Sequence, residues 1–358
     1  MQHESHNALL YPNLDFEYAL LHGSGWNPPK IVAAMCTRWR HLLRCLPGLE
    51  EASVWDGITP LAPDQTLKAW GVDHRVLQAY SESTRASSPS LDVITRVNDK
   101  RYAVSERKRV GIEGLELSRE VRSLEELQTA ARTISANNSP WLLKHPLGVS
   151  GRERMTSGPG EHGLSESVLA WALKHFEKGW SLVLEPRVEI SSEYSLHAEI
   201  SPRGEISHIG WCHLMADPVS GTHRGHRIER DVSPPARVAR WWRHVGDILE
   251  DIATRGYHGP VSIDAWVGRL EGEEIEQPVS EINARYTFGR MALELARFVP
   301  DAHDYAWHHP RHSSANERRA RALERSCSPG EYRLPERIDP GGESGTWIEV
   351  LAADQGDK

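Results

Sequence analysis

Residues 194 to 200 alternate: Tyr194, Leu196, Ala198 and Ile200 are apolar, and Ser195, His197 and Glu199 between them are polar. A period of two marks a strand with one buried face. Gly204 supplies a turn into a second run, Ile206 to Leu214, and the pair reads as a hairpin. Elsewhere the period shifts to three and four. Ser123-Leu124-Glu125-Glu126 is a capping box opening a helix with Leu124, Leu127, Ala131 and Ile134 on one side. Another helix starts near Ser165, its apolar face made by Leu169, Leu173 and Phe176. A longer one starts at Ser233-Pro234-Pro235, turns Val238, Trp242, Val245, Leu249 and Ile252 inward, and stops at Gly256.

Val32 to Leu46 looks helical, bounded by Asn27-Pro28-Pro29 and Leu46-Pro47-Gly48. Short apolar runs read as strands at Leu91 to Val97, Trp141 to Lys144, Ser181 to Ile190, Ile263 to Ala265 and Val279 to Arg285. Ser81 to Ser90, rich in serine, reads as a linker. No GxGxxG follows a strand, so a Rossmann dinucleotide site has no support. Beyond Pro300 the chain turns polar, and Arg318 to Arg325 reads as a solvated helix before coil. Strands mixed with helices in this way give an α/β (α+β) fold class.

Composition narrows the picture. The 358 residues suffice for two or three packed domains. A formal net charge of −8 leaves no basic excess to neutralise a nucleic-acid backbone. Cys36, Cys45, Cys212 and Cys327 are scattered and contain no CxxC pair, which fits a reducing cytoplasm better than a zinc site or a disulfide framework. No apolar run reaches the roughly eighteen residues that span a membrane, and Met1 to Leu10 has no apolar leader core. The expectation is a soluble, cytoplasmic protein.

Candidate chemistry gathers near the C-terminal end. On an extended strand Glu281 and Asn283 point the same way, with Arg285 next on that side. If the strand carrying Asp264 pairs beside them, two carboxylates and an amide converge. Hard oxygen ligands of this kind suit Mg²⁺. His208, His213 and His223 have no spacing that fixes two imidazoles on one centre, and they read as solvated or core-edge side chains.

Lys100, then Lys144 with a glycine-rich loop, then Leu184-Glu185-Pro186-Arg187-Val188, Glu193, Asp264 and Glu281-x-Asn283 follow one another in the order of an ATP-grasp domain. The stretch from Val97 to Val299 resembles that superfamily. The resemblance implies an ATP-grasp fold behind a small pre-ATP-grasp α/β domain. Residues 1–97 would be that domain, 98–180 the central and lid part, 181–300 the C-terminal sheet with the metal site, and 301–358 a polar extension.

The resemblance also implies ATP and Mg²⁺ (or Mn²⁺) as cofactors, and roles for named residues. Lys100 and Lys144 hold phosphate, and Ser150 and Gly151 belong to the loop that covers the triphosphate. Glu185 to Val188 edges the adenine, Val188 through its backbone, and Glu193 takes the ribose hydroxyls. Asp264, Glu281 and Asn283 hold the metal. Arg285 and Lys144 stabilise the transferred phosphate, and Arg224, in the donor-rich Thr222 to Arg227 segment, adds a basic contact. The implied reaction joins a carboxylate to an amine through an acyl phosphate, with ADP and phosphate released. A phosphotransferase and a nucleotide-binding protein without turnover are the alternatives. The expected partners are small-molecule carboxylate and amine substrates, with a homodimer as the expected assembly. D-alanine–D-alanine ligases carry an arginine two residues before the metal aspartate, and Ser262 stands there in this chain.

Overall fold

The structure, a computed structural model, describes residues 7–137, 139–148, 153–157, 163–216, 223–230, 234–299, 304–309, 331–340 and 345–351. Three sheets organise them. The first is parallel and small, in the order Ser53–Val54, Ala8–Tyr11, Thr66–Ala69. Leu10, Phe16, Trp39, Leu43 and Trp70 from this N-terminal part belong to the same apolar core as the largest sheet.

Leu91–Asn98 is a helix and not the strand its apolar run suggests. Ser90 caps it by accepting a hydrogen bond from the Val93 N–H at 3.3 Å, and Ile94 and Val97 fill the inner face. A run this short fits either period, and here the cap decides. Lys100–Arg109 follows at once, capped by Asp99, whose carboxylate accepts from the Arg101 N–H at 2.8 Å.

The second sheet is antiparallel, in the order Arg119–Val121, Leu182–Pro186, Trp141–Lys144, Arg154–Thr156. Leu124–Ala136 packs on it, Ser123 accepting from the Glu126 N–H at 3.1 Å as the capping box predicts. Glu166–Phe176 buries Val168 and Ala172 and leaves Leu173 42% exposed, so its inner stripe is rotated from the expected one. Ser181 to Ile190 is not one strand. Leu182–Pro186 stays in this sheet and Glu189–Ile200 enters the third. Pro186 has no N–H to continue a ladder, and Arg187-Val188 makes the crossing.

The third sheet has eight antiparallel strands, in the order Glu273–Asn283, Gly259–Leu270, Glu189–Ile200, Ile206–Ala216, His223–Ile228, Tyr305–His308, Trp347–Val350, Glu331–Arg333. The predicted hairpin is its centre. Its first strand is buried on both faces, since Ser195 and His197 are buried along with Tyr194, Leu196, Ala198 and Ile200. The helix Phe288–Glu294 covers the Ser195 face, where a Cβ on Gly289 would lie 2.7 Å from the His197 ring. Ala236–Thr254 covers the opposite face with Val238, Trp241, Val245, Leu249 and Ile252. Trp241 takes the inner place expected of Trp242, which instead stacks on His208 at 4.2 Å. The helix expected at 318–325 lies outside the described residues. Among the described residues no helix is long and apolar enough to cross a membrane.

Candidate active site

The metal-ligand candidates sit on neighbouring strands in a register that groups them. Asp264 lies directly opposite Glu281, and Ser262 opposite Asn283, so these side chains share one face. On the other flank Asp264 lies opposite Ser195, whose hydroxyl donates to Asp264 Oδ1 at 2.9 Å. Asn283 Nδ2 donates to Asp264 Oδ2 at 3.1 Å. Burial, then the charge of Glu281, pushes the Asp264 carboxyl up to about 7. Burial would raise Glu281 as well, but Lys100, Lys144 and Arg285 outweigh it and hold that carboxyl below its ordinary value.

Lys100 opens its helix, and its backbone N–H donates to the Pro146 carbonyl at 3.0 Å, which pins the helix start to the end of the Trp141–Lys144 strand. Its ammonium donates to the Gly148 carbonyl at 2.7 Å and pairs with Glu281 at 3.0 Å. Lys144 closes a strand whose alternation buries Trp141 and Leu143, leaving Leu142 and Lys144 on the other side. Lys144 pairs with Glu185, and Arg107 pairs with the other oxygen of the same carboxylate. Burial would raise Glu185, but the two cations hold it at about 2. The Glu185 side chain is therefore committed to two cations.

A cavity of about 680 Å³ opens at the seam between the four-stranded and eight-stranded sheets. Lys100, Lys144, Glu185, Val188, Glu193, Asp264 and Glu281 all line it, from both sheets and a helix. Arg154, opposite Lys144 in its ladder, adds a third cation. Burial raises Glu193, with Arg154 partly countering. A volume of this order accommodates a nucleotide-sized ligand.

Two predicted residues are placed differently. Arg285 is two residues past Asn283 and donates to Asn283 Oδ1 at 3.1 Å, but its ion pair is with Glu17 of the N-terminal part. The next residue continues the link, Tyr286 N–H donating to the Trp70 carbonyl at 2.9 Å. Arg224 lies on the His223–Ile228 strand, with two strands between it and the Asp264 strand, and does not line the cavity. Ser150 and Gly151 lie outside the described residues.

Arg107, Ser195 and Glu17 were not foreseen. Arg107 falls seven residues after Lys100, two helical turns on, so it shares that face and its spacing was a usable signal. Ser195 occupies a polar position in the alternating strand, one place from Tyr194. Glu17 carried no signal, since its partner is 268 residues away.

By sequence, no protein-family profile matches the chain, and no curated protein matches it. Solved structures do. N5-carboxyaminoimidazole synthetase from Staphylococcus aureus superposes with a TM-score of 0.55 at 11% identity, covering 96% of this chain and 92% of that one. The ribonucleotide synthetase of the same name from Thermus thermophilus gives 0.54 at 13%, covering 96% and 93%. The Aspergillus clavatus enzyme, in complex with ADP and 5-aminoimidazole ribonucleotide, gives 0.52 at 13%, covering 87% and 91%. Similarity over nearly the whole length, with the cavity at the seam of two antiparallel sheets, identifies the fold of this chain as ATP-grasp.

Proposed function

We propose that the protein is an ATP-dependent ligase that joins a small-molecule carboxylate to an amine and releases ADP and phosphate. One observation carries this reading: Lys100, Lys144 and Arg154 meet the Asp264/Glu281 pair across a single cavity. Cations from three elements beside two carboxylates form a site for a polyphosphate and a divalent ion together. The donor set is all oxygen, and burial with the neighbouring charge of Glu281 pushes Asp264 up to about 7, with Ser195 and Arg285 only partly countering, so the site favours an added cation and the residues fit Mg²⁺ (or Mn²⁺). Asp264, Glu281 and Asn283 would hold that ion, which when bound neutralises phosphate charge and orients the triphosphate.

The chain's own groups do the rest. Lys100 and Lys144 bind phosphate oxygens as point charges. The backbone from Glu185 to Val188 receives the adenine edge, and Glu193 the ribose hydroxyls. Arg285, anchored by Glu17, orients Asn283 and lends charge beside the transferred group. No role falls to Arg224. A substrate carboxylate oxygen attacks the γ-phosphorus and the bond to ADP breaks, giving an acyl phosphate. The amine nitrogen then attacks the acyl carbon, loses its proton, and phosphate departs with the carboxylate oxygen. The complex of the Aspergillus clavatus neighbour with ADP and an amine-bearing ribonucleotide supports this class of reaction. A cytoplasmic setting and a homodimer belong to the same reading.

The test is a turnover screen of carboxylate and amine pairs with Mg·ATP, followed by oxygen-18 labelling of the productive carboxylate. Label should be found in the released phosphate. Label retained in a stable phosphorylated product would identify a phosphotransferase instead. Phosphate carrying only water oxygen, with a substrate turning over, would reject ligation.

A further inference from the structure

The eight-stranded sheet carries a second cluster, outside the cavity. His223, His226 and His309 each offer a ring nitrogen, and these atoms lie within 4.8 Å of one another. Residues 223 and 226 are an odd number apart and would face opposite sides of a regular strand. A β-bulge changes that. His223 pairs with Ala216 and Gly225 with Met215, so Arg224 is the extra residue and both imidazoles fall on one face. His226 lies opposite Trp307, and His309 is two residues further along on the same face, held by its N–H donating to the Arg224 carbonyl at 2.7 Å. Gly225 sits at φ +152°, and a Cβ there would lie 2.1 Å from the Trp307 carbonyl oxygen, so this bulge requires glycine.

The chemistry of the cluster is unfinished. His226 Nδ1 and His309 Nε2 are buried and have no hydrogen-bond partner among the described residues. Each buried nitrogen left without a partner costs about 1–3 kcal/mol, and two side by side call for something between them. The ring centres are 4.6, 4.9 and 5.4 Å apart. Three imidazoles around a tetrahedral ion at ~2.0–2.1 Å per bond place their ring centres roughly 5 Å apart, so only ring rotation is needed to converge the nitrogens. Trp307, Phe288 and Trp39 pack around His309 at 4.3, 5.0 and 5.5 Å and fix its position. His223 is exposed and gives an ion a way in.

We propose that His223, His226 and His309 form a binding site for a divalent transition metal of the zinc class, separate from the nucleotide cavity and with one coordination position facing solvent. An all-imidazole set selects Zn²⁺, Co²⁺ or Ni²⁺ over Mg²⁺. The ion cross-links the His223–Ile228 strand to the end of the Tyr305–His308 strand.

Chelator-stripped full-length protein titrated with Co²⁺, as a visible probe for zinc, should bind one ion per chain with the intense absorption of a tetrahedral nitrogen site, displaced by Zn²⁺. Zn²⁺ should also raise the melting temperature. His223→Ala alters an exposed side chain and preserves the core, and His309→Asn removes a buried ligand. Each should weaken Co²⁺ binding by at least about tenfold, no less than loss of a supporting partner does. Absence of the tetrahedral band at one equivalent would overturn the proposal. So would a band that His223→Ala leaves unchanged, since binding then lies elsewhere among the 19 histidines.

Discussion

Replacing Glu185 with glutamine should destabilise the protein by about 3 kcal/mol at neutral pH, although the two side chains have nearly the same shape. The Arg107, Lys144 and Glu185 side chains are only 4%, 18% and 5% exposed, so solvent screens them weakly. Burial works against the charged carboxyl, yet its two cations bring it from 4.5 down to about 2. The distance from 4.5 to about 2, at about 1.36 kcal/mol for each tenfold in proton affinity, is worth about 3 kcal/mol. Removing one member of a buried ion pair costs a similar ~3–5 kcal/mol, because the partners keep their charge in a dry site. The folded-state pKa is depressed, so this stabilisation is fully present above the unfolded value of about 4.5 and is lost as pH falls toward 2. Denaturant unfolding of both proteins at pH 7, and then stepwise into acid, reads the effect. The gap should be widest above pH 4.5 and close below it. Adding Arg107→Met to Glu185→Gln should recover part of the loss. A gap under about 1 kcal/mol at pH 7, or one that persists unchanged in acid, would refute the reasoning.

Glu281→Gln should lower Mg·ATP-dependent turnover by orders of magnitude while the fold is kept; turnover at the wild-type rate would remove Glu281 from the metal site. Asp264, pushed up to about 7, exchanges its proton for a metal ion, so affinity for Mg·ATP should weaken by up to about tenfold per unit below pH 7, and its stabilising effect should shrink with it. Its raised pKa acts oppositely on the ligand-free protein, favouring folding below about pH 4 and losing that contribution as pH rises through 7. Thermal shifts with and without Mg·ATP from pH 5.5 to 8 separate the two, and a response to Mg·ATP that ignores pH would contradict the assignment. ADP should bind more tightly than GDP, because a backbone acceptor at the Glu185 to Val188 edge suits an exocyclic amine and not a carbonyl; equal calorimetric affinities would argue against that edge. Gly225→Ala forces a Cβ into the Trp307 carbonyl and should lower the melting temperature by at least about 4 °C, and an unchanged melt would mean that the bulge tolerates a side chain.

The sequence was most legible where one period or one cap dominated. The alternating hairpin, the capped Leu124–Ala136 helix and the pairing of the Asp264 and Glu281 strands could be anticipated because local spacing determines them. It was least legible where a distant element decides. Leu91–Asn98 has a strand's composition and a helix's cap. Ser195 looked solvent-facing until the Phe288–Glu294 helix covered it. In the sequence Glu185 stands out only as part of an adenine-edging segment, whereas its carboxylate belongs to Arg107 and Lys144, which only the packing of a helix against a sheet can show. The three histidines were hidden for another reason: a bulge shifts the strand period by one, and no composition rule announces it.

The link from Arg285 to Glu17 and from Tyr286 to Trp70 also determines which parts of the molecule can move. The strand that ends at Asn283 is fastened to the N-terminal part by an ion pair, a backbone hydrogen bond and the edge contacts of Phe288 with Trp39 and Trp70. The N-terminal part and the eight-stranded sheet are therefore expected to move together as one anvil. The four-stranded sheet continues into that sheet through the short crossing at Arg187-Val188, and side chains also bridge the two: Arg107 pairs with Glu185 and donates to the Val279 carbonyl at 3.5 Å, and Ser139 donates to Glu271 at 2.8 Å. If the cavity opens and closes, the expected motion is a swing of the four-stranded sheet against this anvil. A pulling or cross-linking experiment would find the compliant joint at residues 187–188 and not between the N-terminal part and the carboxylates.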